Sequence, residues 1–151
     1  MSQTDFSVDQ DKLEVRISRV FKATPERLWK AHTDPTEIVQ WWDGTAVDKL
    51  ELKVGGSWRF VSTAPEQKNN FRGEFKELDE PNKIVRTFEY EPMPGHVMTE
   101  TVTFEALPDG QTRQTTISKF DNLEDMNGMV SMGMERGASA GLDRLAKVVE
   151  Q

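Results

Sequence analysis

The side chains best suited to chemistry in this sequence are two histidines and a few polar residues spaced at strand periodicity. His96 opens a stretch in which alternate residues would share one face of an extended strand, and Glu100 falls on the same face. Gln114, on the strand that follows, is expected to face the same space. A buried polar cluster must be hydrogen-bonded internally, to water or to a ligand. The cluster therefore predicts a patch that orients the polar end of a ligand. The alternative is that these residues lie at a sheet edge where water hydrates them.

Other kinds of chemistry find less support. One histidine and one glutamate are too few ligands for a metal site, so we expect no metal and no cofactor. The His96–Glu100 pair has the spacing of an acid–base couple but no nucleophile beside it, and the serines lack the context of a nucleophile elbow. His32 falls at the end of a predicted helix, where a cation is favoured, so we expect a structural role for it. The sequence therefore predicts no catalytic residue, and an enzyme is the less favoured interpretation.

The composition favours one soluble domain that binds neither nucleic acid nor membrane. The chain has 151 residues, with 19 Lys and Arg against 26 Asp and Glu, for a net charge of −7. An acidic body repels phosphate backbones and anionic lipid. Without cysteine there is no disulfide and no Cys-ligated zinc. Because no apolar run approaches the ~20 residues of a membrane span and the N-terminus has no secretory pattern, we expect a cytoplasmic protein, as a monomer or weak dimer.

The elements that must position these residues follow from hydrophobic periodicity. Alternation over 12–21 predicts a first strand, and Pro25 and Pro35, each after a capping residue, predict two short helices that end by Asp43-Gly44. Six further strands are predicted near 45–53, 57–63, 69–78, 83–91, 97–106 and 111–120. A run of sequential strands predicts an α+β fold, an antiparallel sheet with helices on one face.

The two ends of the chain have opposite characters. Residues 1–11 are polar, and we expect a frayed, flexible tail there, which leaves 12–151 as a single domain. Asn122 opens a tract predicted to be one long amphipathic helix to about Val149.

The long C-terminal helix has a gap in its apolar stripe. Gly133, Gly137 and Gly141 recur every four residues near its middle, with Ala138 beside them. Each interior glycine costs roughly 1 kcal/mol relative to alanine, so the repeat needs a physical reason. One interpretation is that the small residues let the helix lie close against bulky sheet side chains, and another is that they leave an apolar cavity. The two are not exclusive, because one end of the helix can pack while the other stays open. A kink without function is a third interpretation.

The predicted ligand site joins this bare segment to the aromatic residues expected on the inner face of the sheet. An aromatic wall facing a helix that lacks bulk is one way to build an apolar ligand chamber. Met129 and Met132 fall off the stripe of a straight helix, and we expect a phase change at Gly128 or Gly133 to bring them into the core. The alternative is that they are exposed as a pliable surface for a partner. The predicted ligand-binding residues are Trp42, Trp58, Phe60, Phe71, Phe88, His96, Glu100, Phe104, Gln114, Met129, Met134 and Gly137.

Several segments resemble a known family. Val15–Trp29 is similar to the opening of the SRPBCC proteins related to the heat-shock-protein-90 ATPase activator. Further segments that resemble the family are Trp41-Trp42, Val54–Phe60, Phe71–Phe75, Asp79–Val85 and Gly141–Leu145. The resemblance runs from about residue 12 to 150, in order and with the expected spacing.

The resemblance implies the START-like (Bet v 1-like) helix-grip fold, a seven-stranded antiparallel sheet curled around the long C-terminal helix with an internal cavity. Relatives in the wider superfamily bind lipids, hormones or polyketides, some are cyclases or hydrolases, and the namesake stimulates a chaperone ATPase. The family often places a tryptophan after the glycine in the last helix, whereas Ala138 follows Gly137 here. The smaller side chain should enlarge the chamber or leave it open.

Three functions therefore stay open. We expect first a non-enzymatic binder of a small apolar or amphipathic molecule. The second is an interaction module that regulates the ATPase of heat-shock protein 90, with that chaperone as partner. The third is a cyclase or hydrolase that uses His96 with Glu100.

Overall fold

An antiparallel sheet and α-helices on one of its faces make up the protein, which a computed structural model describes over residues 4–64, 66 and 69–150. The strands are β1 (Asp5–Asp9), β2 (Glu14–Phe21), β3 (Thr45–Leu50), β4 (Ser57–Ser62), β5 (Phe71–Asp79), β6 (Lys83–Tyr90), β7 (Val97–Ala106) and β8 (Thr112–Lys119). The helices are α1 (Pro25–Thr33), α2 (Pro35–Trp41), α3 (Leu123–Ser131) and α4 (Met134–Val149), with a short 3₁₀ turn at Pro108–Gly110.

The strand order is β1-β2-β8-β7-β6-β5-β4-β3, and every neighbouring pair is antiparallel. Strands β2 and β3 are separated by five others, so α1 and α2, which connect them, must cross the sheet. Both short helices contact α4, and α4 also contacts β2. The helices therefore share one face of the sheet, called here the inner face.

The predicted starts of the two short helices are confirmed. Thr24 precedes α1, and its side-chain oxygen accepts a hydrogen bond from the backbone N–H of Arg27. Asp34 ends α1 and begins α2, accepting from the N–H of Thr36. Each cap satisfies an N–H group that the first helical turn leaves without a partner.

The structure differs from the expected frayed tail over 1–11. Asp5–Asp9 forms an edge strand, β1, which pairs with β2 in a register that sets Phe6 opposite Ile17 and Val8 opposite Val15. A ladder of backbone hydrogen bonds does not depend on side-chain polarity, which is why the polar composition failed to reveal it. The sheet consequently has eight strands rather than seven. Residues 1–3 lie outside the described part of the chain.

The predicted single helix from Asn122 to about Val149 is two helices. The break falls at Gly133, whose φ of 94° lies in the left-handed region that glycine enters without steric cost. The phase change expected at Gly128 or Gly133 therefore occurs at Gly133. It brings Met129 against the core, whereas Met132 is 61% exposed, so the expectation that both methionines are core residues is wrong for Met132.

The C-terminal half of α4 packs directly on the core. Four side chains of that half are buried: Leu142, Leu145, Ala146 and Val149. They belong to the same hydrophobic cluster as Val15, Phe21 and Leu28 of β2 and α1. This end of the inner face is closed. Among the described residues, no helix is long and apolar enough to cross a membrane.

Candidate functional site

A cavity of about 570 Å³ lies between the inner face of the sheet and the N-terminal half of α4. On the helix side, small and flexible residues line it: Met129, Met134, Gly137, Ala138 and Gly141. On the opposite side it is lined by larger apolar residues: Trp42, Phe71, Phe88, Met98 and Val102. Its polar lining includes His32, Arg86, Glu100, Gln114, Thr116 and Ser118.

The glycines of α4 face open space. A Cβ added at Gly137 would meet no atom within 4 Å, and one at Gly141 would meet only the tip of the Arg144 side chain, at 4.0 Å. If small residues had served to draw the helix onto the sheet, an added Cβ would collide with the neighbouring side chains. The interpretation of the glycine repeat as a close-packing device is therefore wrong at these two positions.

An aromatic cluster forms the apolar wall. Trp42, which directly follows α2, lies edge-on to Phe71, with ring centroids 5.8 Å apart, and Phe71 lies 5.1 Å from Phe88. These three rings come from separate segments of the chain: the residue after α2, strand β5 and strand β6. Their contacts fix the rings in place, so the wall exists before anything enters the cavity.

The polar end of the cavity is built around an ion pair. The antiparallel register places Arg86 on β6 opposite Glu100 on β7. Arg86 Nε donates a hydrogen bond to Glu100 Oε1 at 2.8 Å, and the two side chains are only 10% and 13% exposed. The guanidinium also lies over the Trp58 ring, 4.4 Å from its centroid. Because the ring covers one face of the guanidinium and the carboxylate holds one edge, its orientation is fixed.

His32, at the end of α1, lies beside this pair. Its Nε2 is 2.9 Å from Gln114 Oε1, and because a carbonyl oxygen accepts, the imidazole donates through Nε2. Burial lowers the pKa of His32 from 6.5 to about 4; the Gln114 hydrogen bond opposes the shift, and the nearby charge of Arg86 adds to it. The ring is therefore neutral at pH 7. The helix dipole at the end of α1 therefore acts on a neutral ring and not on a cation.

Most residues predicted for the site line this cavity. They are Trp42, Phe71, Phe88, Glu100, Gln114, Met129, Met134 and Gly137. The prediction that alternate residues of β7 share the inner face is confirmed for Glu100, Val102 and Phe104, which lie opposite inner-face residues of β8.

Three predicted aromatic residues lie behind the wall instead of on it. Trp58, Phe60 and Phe104 point toward the inner face but are buried under other side chains. Trp42 stands edge-on to Phe60 at 5.1 Å between centroids, and the His32 ring lies 5.3 Å from Phe104. Trp58 is covered by the guanidinium of Arg86. Side chains from α1, α2 and β6 thus shield these rings, which support the wall without lining it.

His96 lies outside the cavity. It precedes β7, so the strand alternation does not extend to it, and its Nδ1 is 2.7 Å from Asp125 Oδ1 on α3. The side chain is 53% exposed and lines a separate groove of about 270 Å³. Three residues line both spaces and so form the partition between them: Phe88, Met98 and Met129.

The predicted acid–base pair is consequently not formed. Glu100 is bonded to Arg86, and His96 is bonded to Asp125. The cyclase or hydrolase interpretation depended on His96 acting with Glu100, and the geometry removes that support. Within the described ranges there is also no group of three or more His, Asp or Glu side chains that could hold a metal ion.

Sequence reasoning missed Arg86, the central polar residue of the cavity. The signal was present, because Arg86 sits between Ile84 and Phe88 at the inward positions of an alternating strand. An arginine in an inward position requires a partner, and Glu100 was already assigned to the same face. The position of His32 at a helix end was predicted, but its contact with Gln114 on β8 was not. The signals that mark a helix end do not show which strand that end will contact.

The sheet, the helices and the cavity between them define the helix-grip class predicted from the sequence. The structure is similar to that of protein Ms6760 from Mycobacterium smegmatis, with a TM-score of 0.85 and 26% identity over 95% of this chain and 94% of that one. It is similar to a protein from Arthrobacter aurescens, with a TM-score of 0.83 and 27% identity over 95% and 90% of the two chains. An HSP90 activator from Plasmodium falciparum shares the fold at a TM-score of 0.60 and 22% identity, over 80% of this chain and 89% of that one.

The sequence comparison identifies the family. Residues 22–150 match the model of the family described as Activator of Hsp90 ATPase homolog 1-like protein, AHSA1. The chain belongs to this family, and the resemblance stated from its motifs is confirmed. No curated protein matches the sequence.

Proposed function

We propose that the protein is a non-enzymatic binder of a small apolar or amphipathic molecule, held between the inner face of the sheet and the N-terminal half of α4. The observation that supports this proposal is the cavity of about 570 Å³ under a helix segment whose glycines face open space. Small-molecule sites typically measure about 300–1,000 Å³ and combine an apolar lining with a few convergent polar groups.

The cavity offers two chemically different ends. Trp42 and Phe71 provide aromatic surface, while Arg86 and Glu100 provide hydrogen-bonding groups. Phe88 follows Arg86 by two residues on β6, so the aromatic and polar ends meet on one strand. A molecule with an apolar body and one polar group would be oriented by this arrangement.

The expected affinity is modest. Burying ~200 Å² of apolar ligand surface contributes about 5 kcal/mol before ordering costs are subtracted. Even before those costs, 5 kcal/mol corresponds to a dissociation constant of about 0.2 mM, so we expect weak binding. The rings that form the wall already contact one another, which limits the ordering cost on the protein side.

The proposal is tested by substituting a large side chain on α4 that fills the cavity. Ala138 lines the cavity and Ala140, two residues later on the same helix, is exposed, so Ala138→Trp and Ala140→Trp form a matched pair. We expect the neutral fluorophore N-phenyl-1-naphthylamine to bind the wild type saturably, with enhanced emission. Ala138→Trp should abolish this enhancement and Ala140→Trp should retain it. Gly137→Leu provides a second filling substitution with the same expected loss.

Circular dichroism and thermal unfolding of all variants would verify that the fold is intact. Undiminished probe uptake in folded Ala138→Trp and Gly137→Leu would contradict the proposed site.

Membership in the AHSA1 family supports a second candidate function, regulation of the ATPase of heat-shock protein 90 through an outer surface. A pull-down with the chaperone and an ATPase assay test it. A cavity-filling variant separates the two functions, because Ala138→Trp should leave chaperone stimulation unchanged if an outer surface is responsible.

A further inference from the structure

The polar end of the cavity is well supplied with hydrogen-bond donors. Among the described residues, the Arg86 side chain makes one hydrogen bond, through Nε, and the Gln114 side chain makes one, through Oε1. The two terminal nitrogens of Arg86 and the amide nitrogen of Gln114 therefore retain their N–H groups for another acceptor. Both residues line the cavity.

The same end carries no net charge. The positive charge of Arg86 is matched by Glu100 at 2.8 Å, and His32 is neutral at pH 7 because burial lowers its pKa to about 4. The other two charged residues that line the cavity, Asp43 and Arg144, have opposite signs. Donors are thus present without a surplus cation.

From this combination, and resting on the proposed function above, we infer that the cavity selects a neutral ligand whose polar group is a hydrogen-bond acceptor, such as a ketone or amide carbonyl, over a carboxylate of the same size. A carbonyl oxygen can accept from Arg86 and Gln114 without adding charge. A carboxylate could accept the same bonds, but it would place a second anion beside Glu100, whose side chain is only 13% exposed.

A matched pair of compounds tests the selectivity. 2-Acetonaphthone and 2-naphthoate share the ring and a carbonyl at the same position, and only the second is an anion at pH 7. Each is titrated against wild-type protein loaded with N-phenyl-1-naphthylamine, and displacement gives the two dissociation constants. Because an unpaired buried charge is disfavoured far more than a neutral hydrogen-bonded group, we expect the ketone to bind about tenfold or more tightly than the carboxylate.

Glu100→Gln tests the cause of the selectivity. Its amide oxygen can still accept from Arg86 Nε, but the negative charge is gone, so the guanidinium is left without a counter-ion. The carboxylate should then gain about tenfold or more relative to the ketone. Glu105→Gln is the matched control, because Glu105 lies on the same strand, is exposed and pairs with Arg113 on the outer face. It should leave the ratio of the two constants unchanged.

The outcomes separate the two proposals. If wild-type protein binds 2-naphthoate as tightly as the ketone or more tightly, or if folded Glu100→Gln keeps the wild-type ratio, the inference is overturned while the cavity remains a ligand site. If neither compound nor the fluorophore binds wild-type protein, the proposed function fails and the inference fails with it. Should Glu100→Gln not fold, the wild-type ratio decides alone.

Discussion

The two halves of helix α4 lie over the same sheet, but only the C-terminal half fills the space beneath it with side chains. In the C-terminal half, Leu145 and Val149 are buried and the space between helix and sheet is filled. In the N-terminal half, Gly137 and Gly141 leave the space open, and Leu142 stands at the boundary because it is buried and also lines the cavity. The cavity thus arises because the side chains in the N-terminal half of α4 are smaller than those in the C-terminal half. It needs no change of fold.

Glycine itself has two different roles in this molecule. At Gly73 on β5, an added Cβ would collide with the carbonyl of Thr87 and with the indole of Trp58, which donates to that same carbonyl at 3.2 Å. At Gly137 an added Cβ would meet nothing within 4 Å. Glycine in the sheet permits close packing, whereas Gly137 is exposed at the border of the cavity and makes no close contact there.

The largest expected effect comes from removing volume where the helix is packed. Leu145 is fully buried, so Leu145→Ala should lower the free energy of unfolding by about 2–5 kcal/mol. Met134→Ala, in the open half, should cost less because Met134 is only partly buried and borders existing empty space. Urea denaturation of both variants measures the difference. Equal losses would mean that the two halves are packed alike.

Acid pH should act on stability through His32, which lines the cavity from the end of α1. The pKa of His32 is about 4 in the folded protein against 6.5 when unfolded, so the unfolded state binds more protons between these values. Stability should therefore fall as the pH drops from 6.5 toward 4, with His32 responsible for about 3 kcal/mol of the loss. His32→Gln should remove that share. The free energy of unfolding of wild type and variant, measured at several pH values from 7 to 4, isolates the contribution of His32. If both proteins lose stability equally as the pH falls, His32 is not responsible for the loss.

The smallest effect is expected from adding a single methyl group to the roof. Gly137→Ala meets no neighbouring atom and replaces the weaker helix former, so the free energy of unfolding should rise by up to about 1 kcal/mol. Thermal unfolding of the variant shows whether its stability rises or falls. A decrease would show that the roof lies closer to the sheet than the structure places it.

The framework of the fold was predictable because local signals were unambiguous. The caps at Thr24 and Asp34 marked the helix starts, and alternation on β7 assigned Glu100 and Val102 to the inner face. Local signals could not show which distant parts of the chain would come into contact. Strand β1 depends on an available edge of β2, and its polar residues gave no sign of pairing.

The candidate site was predictable only in part for the same reason. Strand alternation showed that Trp58 and Phe60 point inward, but not that Arg86 and Trp42 would cover them. His96 was assigned by extending the β7 alternation one residue too far, and its contact with Asp125 depends on where α3 lies.

The central claim is that an amphipathic molecule enters the space beneath the open half of α4. Amide chemical shifts followed during titration with N-phenyl-1-naphthylamine test it most directly, because the cavity and the neighbouring groove are lined by different residues. We expect saturable shifts at Gly137, Gly141 and Thr116, which line the cavity, and none at Gly128 and Met132, which line only the groove. Shifts confined to Gly128 and Met132, or no saturable shift anywhere, would contradict it.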